Sequence, residues 1–365
     1  MLIESNPQKR LTSNLDIGSR GVITSPVNLK LQAEEMMNID MHAHFIPPEW
    51  IDALRKNGPA YGCKIDQDQT GRLQILVSGE GKPLGLSPAL SDVAKRTKAL
   101  KERRLDCQVL APVMSMVGYR LPEREAQAFS RLYNETNASF AKTTKGRFIA
   151  VATVPMQFSR AAVEELDYAV KTLGIRMVEI GTNINGQNLD EESFRPFFAR
   201  AAELGILVQL HPHQDQVAGK ERLGKYFLSN LIGNPMDTAI AAASLIFGGL
   251  MERYPTLNVC LVHGGGALPY LLGRIACGYS QIPEIRTMPR VPEEYFQRFY
   301  FDTMTHDARG LKFLHGLAGA EHLMVGTDYP YDNTGDQDPI GLLERAGISS
   351  SQSILGGNAA KLLNI

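Results

Sequence analysis

The stretch NIDMHAHFIPPEW, residues 38–50, closes a short apolar run with two histidines one residue apart and then breaks on two prolines. In an extended strand, residues i and i+2 point to the same side, so His42 and His44 can face one point together. A pair of loop histidines would look the same in isolation. The two readings separate only if other ligand-type side chains end comparable runs elsewhere in the chain.

Such runs recur. CQVLAPV (107–113), FIAVATVP (148–155), RMVEIG (176–181), ILVQLHPH (206–213), NVCLVHGGG (258–266), FYFDTM (299–304) and LMVGTDYP (323–330) are short and β-rich. Helical patterns separate them at 123–145, 159–173, 190–204 and 227–252, from Leu268 onward, and near 308–317. Several of the runs are apolar throughout, as expected of parallel strands covered on both faces. Eight strands alternating with helices predict an α/β chain closed into a (β/α)8 TIM barrel over residues 38–365. Residues 51–95 break the rhythm. They are rich in glycine and proline, and GRLQILV (71–77) reads as an extra strand, so a small insertion after strand 1, a hairpin or a lid, is expected. Residues 1–37 are polar and patternless and read as an N-terminal extension.

Bulk composition narrows the function classes. Lys and Arg number 38 against 39 Asp and Glu, so no basic surface argues for nucleic acid. No apolar run reaches the length of a membrane span, and the N-terminus carries no apolar signal-peptide core. Cys63, Cys107, Cys260 and Cys277 show no CxxC spacing and read as reduced thiols, which together predict a cytoplasmic protein.

Barrel enzymes place their chemistry at the C-terminal ends of the strands, where the following loops share one mouth. His42 and His44 end strand 1, His211 and His213 end strand 5, His263 ends strand 6, and Asp328 ends strand 8. Five of the eight histidines thus fall on one rim, and the opening pair is read as ligands. Three imidazoles and a carboxylate suit one divalent metal, Zn2+ first, with Mn2+, Fe2+ or Co2+ as alternatives. The expected ligands are His42, His44, His211 and Asp328. His263 and Asp328 form the expected catalytic pair, with His263 moving a proton. His213 and His306 are candidates to touch substrate. Glu179 on strand 4 could face the axis, but pairing with a neighbouring arginine is the expected use. RMVEIG contains no lysine that could be carbamylated to bridge two metals, which favours a single ion.

IDMHAHFIPP, VQLHPH, NVCLVHGGGALPYLLGRI, RFYFDTMTHD, LMVGTDYPYD and ILGGNAAKLLNI occur in this order. With these stretches the chain resembles the amidohydrolase superfamily, and within it the amidohydrolase-2 group that includes aminocarboxymuconate semialdehyde decarboxylase. The resemblance implies a distorted (β/α)8 barrel with one divalent metal, usually zinc, on His42, His44, His211 and Asp328, and His263 as the base beside it. Salicylate-type decarboxylases of the group often carry glutamate at the first position of the HxH pair. Histidine here leans towards the semialdehyde-decarboxylase side. The stretch LVSGEGKPLGLSP (76–88) of the insertion lacks the arginines that hold substrate carboxylates in the semialdehyde decarboxylase and offers only Lys82. Arg274 of LGRI matches an arginine that relatives use across a dimer contact, which makes it a candidate for substrate binding. The expected activity is therefore non-oxidative decarboxylation of an unsaturated or aromatic carboxylic acid by a homodimer or higher homo-oligomer. A hydrolase or hydratase acting through a metal-activated water shares the same ligands, and a binding barrel with a structural metal is the third reading.

Overall fold

The computed structural model describes residues 37–79, 83–331, 335–348 and 351–365. The expected extension therefore lies outside the described residues, apart from Met37. Lys82 also lies outside them.

All eight expected strands are present: β1 (Ile39–Asp40), β2 (Cys107–Leu110), β3 (Phe148–Ala150), β4 (Met177–Gly181), β5 (Leu207–His211), β6 (Asn258–Leu261), β7 (Phe299–Asp302) and β8 (Leu323–Met324). Parallel ladders join β1 to β2 to β3, and β4 through β8 in sequence. Two single parallel bridges close the ring, Ala152↔Val178 between β3 and β4 and Ala43↔Tyr329 between β8 and β1. The barrel is distorted at those two seams, where pairing shrinks to isolated bridges.

The floor of the barrel is an apolar cluster of Ile39, Met41, Cys107, Met177, Leu207, Cys260 and Met324, sealed by Ala359 and Leu363 of the C-terminal helix Asn358–Leu363. Residues on the other strand face, such as Val178, Val208, Val259 and Phe299, pack outward against the helices. Among the described residues no helix is long and apolar enough to cross a membrane.

Three local features depart from the sequence reading. The insertion holds a helix, Pro48–Asn57, and a three-stranded antiparallel sheet (Cys63–Gln67, Leu73–Val77, Leu84–Gly85) in place of one hairpin. The 190–204 helix starts only at Arg195. Ahead of it a small hairpin pairs Asn183–Ile184 with Gln187–Asn188 through Asn185 and Gly186, both at positive φ. Asn-Gly is the favoured pair for such a turn. The apolar stretch 227–252 is broken into a wide turn at Ser229–Gly233, the helix Asn234–Phe247 and a short helix Leu250–Arg253.

Candidate metal centre

The HxH stretch reaches the barrel axis through an irregularity. Ile39 and Met41 belong to the floor, and Asp40 faces away from it towards Gln108. Strict alternation would send His42 outward as well. The ladder is interrupted at Met41–His42 and resumes as bridges at Ala43 and His44. That slip turns both imidazoles inward, the use to which strand irregularities beside active sites are commonly put. Buried polar bonds fix the slip. Asp40 accepts from His42 N–H (3.1 Å), Gln108 Nε2 (2.6 Å) and Thr327 Oγ1 (2.6 Å). Arg96, buried on the helix Val93–Glu102, donates to Gln108 Oε1 (2.6 Å) and to the His44 carbonyl, and lies over the Phe45 and Tyr329 rings.

Each of three imidazoles commits Nδ1 to an acceptor. His44 Nδ1 donates to the Pro112 carbonyl (2.7 Å) and His211 Nδ1 to the Pro212 carbonyl (2.9 Å). His42 Nδ1 donates to Asp302 Oδ2 (2.7 Å). The partners fix the tautomers, so all three Nε2 lone pairs point to the centre. Asp328 joins them, with Oδ1 at 3.0 Å from His44 Nε2 and 3.4 Å from His42 Nε2. The ligand atoms of His42, His44, His211 and Asp328 all lie within 4.8 Å of one another, and all four residues are buried. Nε2 of each imidazole and Oδ1 of Asp328 have no hydrogen-bond partner. Buried polar atoms are nearly always satisfied, so four converging orphans fit a divalent cation. The donor set, three neutral nitrogens and one carboxylate, is that of a borderline metal.

Electrostatics follow from this crowding. Burial opposes charge on His42, but Asp328 and Asp302 outweigh it and lift its pKa to about 9. Burial and the neighbouring imidazoles hold His211 well below the usual histidine range. Burial pushes Asp328 up, yet the surrounding histidines keep it far below the ordinary carboxylate range.

His263 stands beside the four, Nε2 at 3.8 Å from Asp328 Oδ2 and its ring centroid 5.1 Å from that of His42. Its φ is 56°, and Gly264, Gly265 and Gly266 follow at 61°, 77° and 59°. The glycines make a tight turn packed against protein: a Cβ on Gly266 would lie 2.3 Å from the Pro235 carbonyl oxygen.

Two cavities of about 560 and 380 Å³ meet at Asp328. The larger is walled by His263, His306, Met304, Tyr270, Phe313 and Leu314. The smaller is walled by His44, His211, His213, Met114, Gln214 and Tyr331, with Leu84 of the insertion over it. His213 and His306 thus reach the mouth. Arg274 does not: it is exposed on the helix Leu268–Gln281 and lines neither cavity. Among the described residues no lysine or arginine lines either one. Arg120 donates to the Gly79 carbonyl (3.1 Å) and lies within electrostatic range of His213.

Residues 39–365 match the model of the amidohydrolase family. The chain belongs to the amidohydrolase family. This amidohydrolase is 33% identical over 334 residues to 2-amino-3-carboxymuconate-6-semialdehyde decarboxylase of Dictyostelium discoideum, covering 90% of this chain and 92% of that one. It is 28% identical to 6-methylsalicylic acid decarboxylase of Penicillium expansum, covering 81% and 85%. Its fold matches that of a dihydroxybenzoic acid decarboxylase from Polaromonas sp. JS666, solved with bound manganese and 2-nitroresorcinol, with a TM-score of 0.71 at 23% identity over 90% of this chain and 97% of that one.

Two residues of the site escaped the sequence reading. Asp302 supports His42 and also accepts from the backbone of His263 (2.9 Å), Gly264 (2.7 Å) and Met304 (3.1 Å). Its position at the end of FYFD is the signal that singled out Asp328. Glu179 was expected to pair with an arginine. It is fully buried in the barrel, and neither carboxylate oxygen has a hydrogen-bond partner.

Proposed function

We propose that this amidohydrolase is a metal-dependent, non-oxidative decarboxylase of an unsaturated or aromatic carboxylic acid. The observation that carries this reading is the convergence of three Nε2 lone pairs and Asp328 Oδ1 at the meeting point of two cavities with largely apolar walls. The activities borne by the named relatives are the second support. His42, His44, His211 and Asp328 would hold one divalent cation. Zn2+ is favoured by the donor set, and Mn2+ is the ion in the Polaromonas relative. When bound, the cation supplies Lewis-acid polarisation and charge neutralisation for an anionic substrate.

The residues of the chain provide the rest. No Lys or Arg lines the cavities among the described residues, so the carboxylate end belongs at the metal side and the apolar body against Met304, Phe313 and Leu314. His263 would deliver the proton that replaces CO2. The bond from carbon to carboxylate breaks, its electron pair stays on carbon, CO2 departs, and the proton fills the vacated position. Asp302 holds the His263 backbone in place while it fixes the His42 tautomer. His213, which burial holds down at about 4, would contact the substrate as a neutral group, and His306 would contact it from the other cavity.

We also propose a homodimer. Phe227, Leu231, Ile232, Met236, Ile240 and Tyr270 are exposed on the apolar stretches 227–252 and 268–278, and Tyr270 is 85% exposed. Light scattering that returned a monomer would refute this. The activity is tested by incubating metal-loaded protein with aromatic and unsaturated carboxylic acids and measuring CO2. Release of CO2 with proton incorporation supports the reading. Product carrying solvent oxygen, without CO2, refutes it in favour of a hydrolase.

A further inference from the structure

Among the described residues, the buried polar atoms without partners around the centre include Nε2 of His42, His44 and His211, Oδ1 of Asp328, both carboxylate oxygens of Glu179, Oε1 of Gln209 beside it and Nδ1 of His263. A cation accounts for the first four. Two of the rest are on Glu179, which sits at 0% exposure on β4, one layer above the floor. The register places it. Met177 pairs with Leu207 in the floor, Glu179 pairs with Gln209 in the next layer, and Gly181 pairs with His211 at the rim. Glu179 therefore lies on the axis directly beneath the ligand layer. The charged groups that act on it are His44, His42 and Asp328, and it in turn acts on Tyr119, Tyr133 and Tyr331. No arginine or lysine appears among these groups. Four ligand residues cluster within 4.8 Å, and Glu179 is not one of them.

An uncompensated buried carboxyl destabilises a fold and persists only where something else makes use of it. We infer that Glu179 is a positioning residue of the metal centre, a carboxylate that faces the cation from the layer beneath without ligating it and strengthens its binding by charge. This rests on the proposed ligand set. Asp328 alone among the four ligands is anionic, and Glu179, when ionised opposite the cation, would add a second negative charge on the axis. Loss of a group that supports a metal centre without ligating it typically weakens metal binding 10- to 100-fold.

The test compares wild type, E179Q, E179D and H211A by competition of Mn2+ or Zn2+ against a chromophoric chelator, together with thermal unfolding of each cation-free protein. E179Q keeps the shape and removes the charge. The expected result is a loss of cation affinity of about 10- to 100-fold in E179Q, a smaller loss in E179D, and a cation-free melting temperature at or above that of wild type. A structural role predicts the reverse: an E179Q chain that melts lower or fails to fold without cation, with its affinity unchanged, overturns the inference. If H211A loses the cation while E179Q binds within twofold of wild type, the inference fails and the ligand set stands. If H211A also binds as wild type does, the ligand set fails and takes the inference with it.

Discussion

Replacing Asp302 with asparagine removes one charge and almost no volume, which makes it a clean probe of how the centre is held. Asp302 is wholly buried and accepts four hydrogen bonds. Oδ2 serves His42 Nδ1 (2.7 Å) and His263 N–H (2.9 Å), and Oδ1 serves Gly264 N–H (2.7 Å) and Met304 N–H (3.1 Å). An amide has one oxygen and one NH2. Whichever way it turns, the NH2 meets two groups that now donate. Two buried donors left without an acceptor cost about 1–3 kcal/mol each, so D302N should lose about 2–6 kcal/mol of stability. The cost to the centre is separate. If the NH2 faces His42, Nδ1 must accept, and the ring proton moves to Nε2, the atom that points at Asp328. If the NH2 faces Gly264, the turn carrying His263 shifts. Either outcome should weaken divalent-cation binding about 10- to 100-fold. Urea unfolding of the cation-free protein reads the first effect, and competition against a chromophoric chelator reads the second. A D302N protein with an unchanged unfolding midpoint and cation affinity within twofold of wild type would refute the argument.

Three further outcomes are expected. H263A should keep its full complement of cation by elemental analysis and lose about 100-fold or more in CO2 release, because the proton donor is gone and the ligands are not; unchanged turnover would remove His263 from the mechanism. R96A should unfold about 2–6 kcal/mol more easily in urea, since it leaves two buried acceptors, Gln108 Oε1 and the His44 carbonyl, without their donor at about 1–3 kcal/mol each, and R96K should not restore stability because one ammonium cannot span Gln108 and His44. The cation-free protein should lose stability as pH rises. His42 is held at about 9 when folded, above its ordinary 6.5, so its contribution, on the order of 3 kcal/mol, is complete below pH 6.5 and gone above pH 9; equal urea midpoints at pH 6.5 and 9 after chelation would contradict this.

The architecture was readable in the sequence because it is written in short periods. Each barrel strand is a local apolar run, and the rule that strand ends carry chemistry located His42, His44, His211, His263 and Asp328 without any knowledge of contacts. What escaped depends on partners distant in the chain. Asp302 was available to the same rule, but a terminal aspartate on a strand does not announce that it will reach His42, 260 residues away. Glu179 was assigned an arginine, and periodicity does not reveal that none among the described residues pairs with it. The Asp40, Gln108 and Arg96 chain, which sets the slip at Met41–His42, joins three elements and leaves no local trace. The Asn185-Gly186 hairpin was a different kind of miss: its turn signal was present in TNINGQN, between the strand expected at 176–181 and the helix expected from 190, and was not read as a turn.

The same barrel that makes the site possible bears its cost. His263, Asp328 and His306 all sit at φ between 56° and 60°, a region that residues with a Cβ occupy at about 1–3 kcal/mol each. All three border the cavities, and the four orphaned ligand atoms lie among them. Backbone strain and orphaned ligand atoms thus meet on this rim, while the floor beneath and the outer strand faces are apolar and closely packed. A cation relieves the orphans but not the backbone strain. The strained turns keep His263 and Asp328 aimed at the mouth whether or not the cation is bound, which implies that metal binding completes an arrangement already held by the closed ring of strands.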